Sequence, residues 1–313
     1  MLRFLFRRLL TAIPTLFLVV TVAFFMMRAA PGNPFDGQRR LAPAVEKNVM
    51  AKYGLNRPLG EQYLTYLGGV LHGDFGPSLK QKNKTVLQMI QQGFPVSLMI
   101  GGTAMLMAMI GGVFLGILAA LRQNRPTDFA VMAFAVLGIC IPTFVTAPLL
   151  VFLVASKLGL LPTAGWPMAG LSPGAAASYL ILPVLVLGLP EMAVISRLTR
   201  SGMIEALSSN YVRTARARGL PEHAIILHHA LRGAILPLVS YLGPSVAGII
   251  TGSLIVEQIF QLPGIGRYFV TSALQRDYTV VMGVVILNAA LILVLNLIAD
   301  LLYAALDPRV RLS

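Results

Sequence analysis

The chain has 313 residues, of which 56% are hydrophobic and only 12% are charged, and its formal net charge is +13. Soluble domains carry about 25% charged residues, so this composition excludes an ordinary soluble protein and predicts a polytopic membrane protein. The positive charge does not require nucleic acid as a partner, because the cytoplasmic loops of membrane proteins collect Lys and Arg.

Six apolar stretches meet or approach the roughly 20 residues that a helix needs to cross a bilayer. The first is longer than the core of a signal peptide and no cleavage site follows it, so we expect it to stay as a membrane helix. The predicted spans are residues 9–27, 96–121, 129–156, 179–196, 234–256 and 279–305. The predicted fold class is an all-α polytopic membrane protein, with six transmembrane helices and a small extracytoplasmic domain after the first helix.

The distribution of basic residues predicts the orientation of these spans. With the N-terminus in the cytoplasm, the inside segments hold 13 arginines and the short outside loops only three basic residues. Because Lys and Arg favour the cytoplasmic side, both termini are expected to be cytoplasmic. The domains are then residues 1–30 (N-terminus and first span), 31–95 (extracytoplasmic domain), 96–307 (five-helix core) and 308–313 (cytoplasmic tail).

The extracytoplasmic region is predicted to contain three short helices, at residues 43–53, 59–71 and 85–92, with the loop HGDFGPSLK before the last. Two interpretations stay open for it: a solvated cap over the spans, or a docking surface for a partner. Within the spans, Gly112 and Gly116, and likewise Gly248 and Gly252, have the GxxxG spacing that lets helices approach closely. The single cysteine, Cys140, lies in an apolar run and is expected to pack there.

Glu191 is the deepest carboxylate in the predicted spans by sequence. An intramembrane carboxylate is costly and usually faces protein or water. We keep two interpretations of it open: it lines a transport pathway, or it forms a structural pair with an arginine such as Arg197.

The longest inside segment, residues 200–233, is strongly basic in an otherwise apolar half of the chain. Ser208, Ser209 and Asn210 are N-cap residue types, which predicts a short helix over residues 211–218. Gly219 suits the left-handed position that ends a helix, and Pro221 with Glu222 suits the start of the next one. Arg213 and Arg216 are expected to share one face of the first helix. In the same picture, the small side chains of Ala215 and Ala217 leave room for a partner.

These motifs identify the chain as resembling the permease subunits of bacterial ATP-binding-cassette importers. YVRTARARGLPEHAIILHHALRGAILP resembles the cytoplasmic motif of the dipeptide, oligopeptide and nickel permeases, and the opening LRFLFRRLLTAIPTLFLVV is closest to the oligopeptide B-type subunits. HGDFGPSLK, ITGSLIVEQIFQLPGIG, RDY and DLLYAALDPRVR also occur in the family's order. Arg213, Thr214 and Ala215 stand where importers in general have Glu-Ala-Ala.

The resemblance implies a permease that imports peptides, preferably oligopeptides, with dipeptides, nickel or glutathione as alternatives. Its expected partners are a second homologous permease, two ATPase subunits, an extracytoplasmic peptide-binding protein and membrane lipid. No phosphate-binding loop occurs in this chain, so it is not expected to be an enzyme by itself and needs no cofactor; ATP and Mg²⁺ belong to the ATPases. By resemblance, the ATPase-coupling residues are Tyr211, Val212, Arg213, Thr214, Ala215, Arg216, Ala217, Arg218, Gly219 and Leu220.

Three other functions compete with this one. An intramembrane metalloenzyme is disfavoured because HExxH is absent and the adjacent His228 and His229 point to different faces of a helix. A proton-driven transporter would need several buried carboxylates at matching depth. A passive scaffold subunit is not excluded by any motif, and neither is the possibility that segment 200–233 lies on anionic lipid headgroups.

Overall fold

A computed structural model describes residues 2–29, 54, 56–81, 83–167 and 172–306. The predicted helix at residues 43–53 and the predicted tail at 308–313 lie outside this set. The described residues are helical apart from turns, loops and one isolated bridge between Pro77 and Thr85. The predicted all-α architecture is confirmed.

The helices are numbered in chain order, and two stretches are π-helical. They are α1 (Leu2–Ala29), α2 (Leu59–Leu71), α3 (Val86–Leu121), α4 (Pro126–Cys140), α5 (Thr143–Leu150) with π-helical Val151–Lys157, α6 (Pro173–Ser208), α7 (Asn210–Ala217), α8 (Glu222–Ala224) with π-helical Ile225–Ala230, α9 (Leu231–Ala234), α10 (Leu236–Gly252), α11 (Leu254–Ile259), α12 (Ile265–Leu274) and α13 (Tyr278–Leu306). Within the described residues, five helical segments are long and apolar enough to cross a membrane, or six if the bent pair of α4 and α5 forms one span.

The third predicted span, residues 129–156, is formed by two helices rather than by one continuous helix. The chain bends by 102° between α4 and the α5 segment. Pro142 causes the break, because a proline disfavours helical backbone in the residue before it. Ile141 accordingly adopts an extended conformation, with φ −88° and ψ 115°. Cys140, at the end of α4, is exposed, so the expectation that it packs in an apolar interior was wrong.

The second span extends further toward the N-terminus than predicted. The short helix predicted at residues 85–92 is the first part of α3, which continues through Pro95 without a break. Thr85 and Gln88 form a reciprocal cap, in which the backbone N–H of each donates to the side-chain oxygen of the other at 3.1–3.2 Å. This pairing satisfies two of the unpaired N–H groups at the helix start.

The chain divides into two compact units. The first contains residues 97–262 together with the chain from residue 294, and the second contains residues 2–96 and 263–293. In the first unit, α3 approaches α6 closely at its GxxxG pair: a Cβ added to Gly116 would lie 2.5 Å from the Cβ of Thr199. Gly248, from the other GxxxG, has no atom of a described residue within 4 Å of such a Cβ, so it makes no close helix contact with that part of the chain.

In the second unit, α2 packs on α1 through aromatic rings, and the Tyr63 hydroxyl lies 2.8 Å from the Thr21 hydroxyl. The predicted helix at 59–71 is confirmed as α2. Asp277, just before α13, is buried and accepts hydrogen bonds from the Ser78 hydroxyl at 2.5 Å and the Leu79 N–H at 3.1 Å. The motifs HGDFGPSLK and RDY, about 200 residues apart, are therefore joined in one unit.

Candidate functional site

The predicted coupling segment follows directly from the longest helix of the first unit. α6 begins at a Ser172 cap, whose hydroxyl accepts the Ala175 N–H, and runs for 36 residues to Ser208. The predicted span at 179–196 is thus only the middle of α6. The chain turns at Ser209, which has extended backbone, and α7 begins at Asn210. The short helix is therefore attached to the end of a long one by a single non-helical residue.

Gly219 ends α7 by a left-handed turn, as predicted. Its φ is +76°, a conformation that costs a residue with a Cβ about 1–2 kcal/mol. The Gly219 N–H donates to the Arg216 carbonyl at 2.9 Å, and the Leu220 N–H donates to the Ala215 carbonyl at 3.3 Å. These two bonds form a Schellman motif, which satisfies carbonyls that the helix end would otherwise leave unpaired.

One face of α7 is seated on the chain's own core. Val212 and Ala215 are buried in a cluster with apolar side chains of α6 and of the helical segments after residue 222. Ala215 therefore faces its own chain, and the expectation that it leaves room for a partner was wrong. Ala217 is exposed and remains compatible with a close approach.

The opposite face of α7 is exposed and basic. Tyr211 is 48% exposed, and Arg213, Thr214 and Arg218 are also exposed. Leu220, in the turn after the helix, is 40% exposed. The result is a short helix with one face packed against apolar side chains of the same chain and its C-terminal end formed by the turn at Gly219. Its other face is rich in arginine. We call this exposed surface of residues 211–220 the α7 surface.

Arg216 is tied to the start of the next helix. Its Nε lies 2.8 Å from Oε1 of Glu222, and its second nitrogen contact to the same carboxylate is 3.3 Å. Hydrogen bonding from Arg216 lowers the pKa of the Glu222 carboxyl below its ordinary value. The pair is exposed, so it orients the two helices across Gly219 more than it stabilises them. Arg213 is exposed on the same helix.

Two local details differ from the prediction. Ser209 occupies the N-cap position, but its hydroxyl donates to the Ala206 carbonyl at 2.5 Å and makes no capping bond to α7. Pro221 precedes α8 as its extended cap residue, rather than forming its first turn, and Glu222 begins that helix. The Ser209 hydroxyl is not available to cap α7 because it bonds back to α6, whereas the Pro221 carbonyl accepts the N–H groups of Ala224 and Ile225 in the following helix.

A buried ion pair, which the sequence interpretation missed, joins α4 to the end of α6 that is predicted to be cytoplasmic. Asp128, on α4, is 2% exposed. Its two oxygens accept hydrogen bonds from Arg200 Nε at 2.5 Å and Nη2 at 2.7 Å, and the Asn124 N–H adds a third at 2.9 Å. Such bidentate pairs fix geometry as well as charge. The sequence signal was an aspartate in the first turn after Pro126, which the prediction did not use.

Glu191 is held by a tyrosine. Its carboxylate accepts a hydrogen bond from the Tyr241 hydroxyl of α10 at 2.6 Å, within the first unit. This bond connects α6 to α10 and gives the carboxylate a structural partner other than the predicted Arg197. The alternative role, lining a transport pathway, stays a prediction.

Glu257 is a further carboxylate, which the prediction placed only near a span end. It is fully buried and accepts hydrogen bonds from the Ser97 hydroxyl at 2.6 Å and the Ser253 hydroxyl at 2.5 Å. Within the described parts of the chain, no cluster of three His, Cys, Asp or Glu side chains is suited to a metal ion.

The family model described as "Binding-protein-dependent transport system inner membrane component" matches residues 112–312, and the N-terminal model of the same systems matches residues 1–101. The chain is 51% identical over 311 residues to the oligopeptide transport system permease protein OppB of Salmonella typhimurium, covering 99% of this chain and 100% of the relative.

A more distant relative and a solved structure extend the comparison. The dipeptide transport system permease protein DppB of Bacillus subtilis is 43% identical over 312 residues, covering 100% of this chain and 99% of the relative. A crystal structure of an amino acid ABC transporter with histidines has a similar fold, with a TM-score of 0.50 at 17% identity, over 71% of this chain and 94% of that one.

Proposed function

The chain belongs to the family of binding-protein-dependent transport system inner membrane components, and we propose that it is the permease through which an ATP-binding-cassette importer carries oligopeptides into the cytoplasm. The observation that carries the choice of cargo is the 51% identity to an oligopeptide permease along the full length of both chains. Dipeptides are the second candidate, because a dipeptide permease is 43% identical over a similar length.

In the proposed complex, this chain pairs with a second homologous permease, and an extracytoplasmic peptide-binding protein delivers the cargo. Two ATPase subunits bind ATP and Mg²⁺ on the cytoplasmic side, where both termini of this chain also lie. The permease itself carries out no chemistry. Its orientation is supported by the excess of arginine in the segments assigned to the cytoplasm.

We assign ATPase docking to the α7 surface. Docking requires a helix that is exposed on one side and firmly held on the other, so that a push on it moves the membrane helices rather than the helix alone. Val212 and Ala215 fix α7 to the neighbouring helices of the first unit through the apolar core. The turn at Ser209 joins α7 to the 36 residues of α6, and the Asp128–Arg200 pair joins α6 to α4. Movement of α7 would therefore be passed to two membrane segments at once.

The alternative for the same surface is contact with anionic lipid headgroups, which arginines also favour. A lipid contact needs positive charge but does not need a closed turn at Gly219. The importance of the turn therefore discriminates between the two roles.

The experiment replaces Gly219 by proline. Proline fixes φ near −65° and removes the N–H that bonds to the Arg216 carbonyl, so it cannot form the observed turn. We expect Gly219→Pro to insert into the membrane but to lose the ATPases in a pull-down from mild detergent, and to lose ATP-dependent uptake of a labelled oligopeptide. Normal association and uptake would contradict the docking assignment.

The chain offers a matched control in the other unit. Gly73 follows α2 with φ +75° and donates its N–H to the Val70 carbonyl, so Gly73→Pro damages the same kind of turn. It should leave the ATPases bound. Competition of uptake by unlabelled oligopeptide, dipeptide, glutathione and Ni²⁺ then identifies the cargo, and competition by Ni²⁺ alone would refute the peptide assignment.

A further inference from the structure

The second unit contains a cavity of about 340 Å³ that none of the roles above uses. Its wall is formed by the end of α1, by α2, by the loop at residues 74–79 and by the start of α13. Most of the lining is apolar, and polar groups project from α1 and α2. The polar residues of the wall include Arg28, Arg57, Tyr66 and Asp74.

Two hydrogen-bond donors in this wall are buried and find no acceptor among the residues that the structure describes. These atoms are the Nε of Arg28 and the hydroxyl of Tyr66, and both are shielded from solvent. Buried polar groups are nearly always paired, because leaving one unpaired costs its full desolvation. Two such donors in the wall of one cavity indicate that something in the cavity supplies acceptors.

Both groups can donate a hydrogen bond to such an acceptor. Burial raises the pKa of the Tyr66 hydroxyl, so it keeps its proton at any physiological pH. The Arg28 guanidinium has no acceptor atom, and it lies over the Phe24 ring, 5.4 Å from the ring centre, which orients it. A neighbouring tyrosine shows the contrast: the Tyr63 hydroxyl is paired with Thr21 at 2.8 Å.

The charge of the cavity favours an anion. Of the residues that the structure describes, Arg28 and Arg57 line it together with one carboxylate, that of Asp74. That carboxylate already accepts the Gly76 N–H through Oδ1 at 2.9 Å. A ligand that carries a negative oxygen would therefore meet the positive charges of Arg28 and Arg57, with donors at Arg28 Nε and the Tyr66 hydroxyl. A charge-assisted hydrogen bond is about twice as strong as a neutral one.

We propose that this cavity is a binding site for an anionic oxygen group, held by Arg28 Nε and the Tyr66 hydroxyl. Two sources carry this chemistry: the C-terminal carboxylate of a peptide, and the phosphate of an anionic lipid headgroup. The site does not depend on ATPase docking, so it stands or fails independently of the proposed function of α7.

Tyr66→Phe tests the site by removing one oxygen atom. Because that hydroxyl has no hydrogen-bond partner in the described part of the chain, the variant should unfold at the same temperature as the wild type when no ligand is present. The matched control is Tyr63→Phe, which removes a paired hydroxyl and should unfold at a lower temperature without a change in binding.

Binding is measured on the full chain, purified in detergent and depleted of lipid, with trialanine, trialanine amide and phosphatidylglycerol as ligands. If the source is a peptide carboxylate, trialanine binds, its amide does not, and Tyr66→Phe weakens binding about ten- to a hundredfold. If the source is a lipid phosphate, Tyr66→Phe weakens the binding of phosphatidylglycerol by the same factor, and the variant does not change trialanine binding in that way. The proposal is overturned if no ligand binds, or if Tyr66→Phe binds every ligand as the wild type does.

Discussion

Replacing Asp128 by alanine should be among the most damaging single changes at the predicted cytoplasmic end of this chain. Asp128 is 2% exposed and accepts three hydrogen bonds, two from Arg200 and one from the Asn124 N–H. Asp128→Ala leaves the Arg200 guanidinium without its counter-charge. Breaking a buried pair in this way costs about 3–5 kcal/mol. The side chain of Arg200 retains 23% of its exposure, which places the expected loss near the lower end, at about 3 kcal/mol.

The assay is equilibrium unfolding of the purified chain in mixed micelles, titrated with dodecyl sulfate and followed by circular dichroism. The double variant Asp128→Leu with Arg200→Met removes both charges and should recover most of the loss, because apolar replacements of a buried pair are often neutral. Glu222→Ala breaks the exposed pair with Arg216 and serves as the control, with no measurable change expected. Wild-type stability of Asp128→Ala, or a double variant weaker than the single one, would refute the reasoning.

Two further predictions follow from the same contacts. Gly116→Ala places a Cβ 2.5 Å from the Cβ of Thr199 and should destabilise the fold by about 1–3 kcal/mol. The control is Gly102→Ala on the same helix, whose Cβ meets no atom of a described residue within 4 Å and should cause no such loss. Equal effects of the two variants in unfolding titrations would contradict the close packing. The Glu222 carboxyl should titrate below its ordinary pKa, because Arg216 stabilises the charged form. The Arg216–Glu222 interaction is therefore present above the ordinary pKa and is lost as the pH falls through the lowered one. In Arg216→Gln the ¹³C titration of this carboxyl should return to ordinary values, and an unchanged midpoint would show that the pair does not form.

Local sequence chemistry predicted much of the candidate site. The helix end at Gly219 follows from a backbone conformation that only glycine adopts cheaply, and the structure gives it φ +76°. The resemblance to importer permeases, read from motifs along the chain, is confirmed by family models that match residues 1–101 and 112–312. The assignment of residues 211–220 to ATPase coupling stays a prediction.

The errors arose where tertiary contacts or a single proline decide the outcome. Hydropathy marks residues 129–156 as one apolar run, and the size of the bend at Pro142, 102°, does not follow from that pattern. The small side chain of Ala215 suggested contact with a partner, but which face of α7 is buried depends on the apolar cluster that packs against it. The Asp128–Arg200 pair joins residues 72 positions apart, and one sequence gives no sign of their proximity.

The most direct test of the coupling role is site-specific photo-cross-linking from the α7 surface. A benzoylphenylalanine replaces the exposed Arg213 in cells that contain the whole importer, and a second variant carries it at Leu64, which is 67% exposed on α2. We expect position 213 to form an adduct with an ATPase subunit, identified by mass spectrometry, and position 64 to form none. An adduct of position 213 with lipid alone would contradict this expectation and would assign the basic face of α7 to the membrane surface.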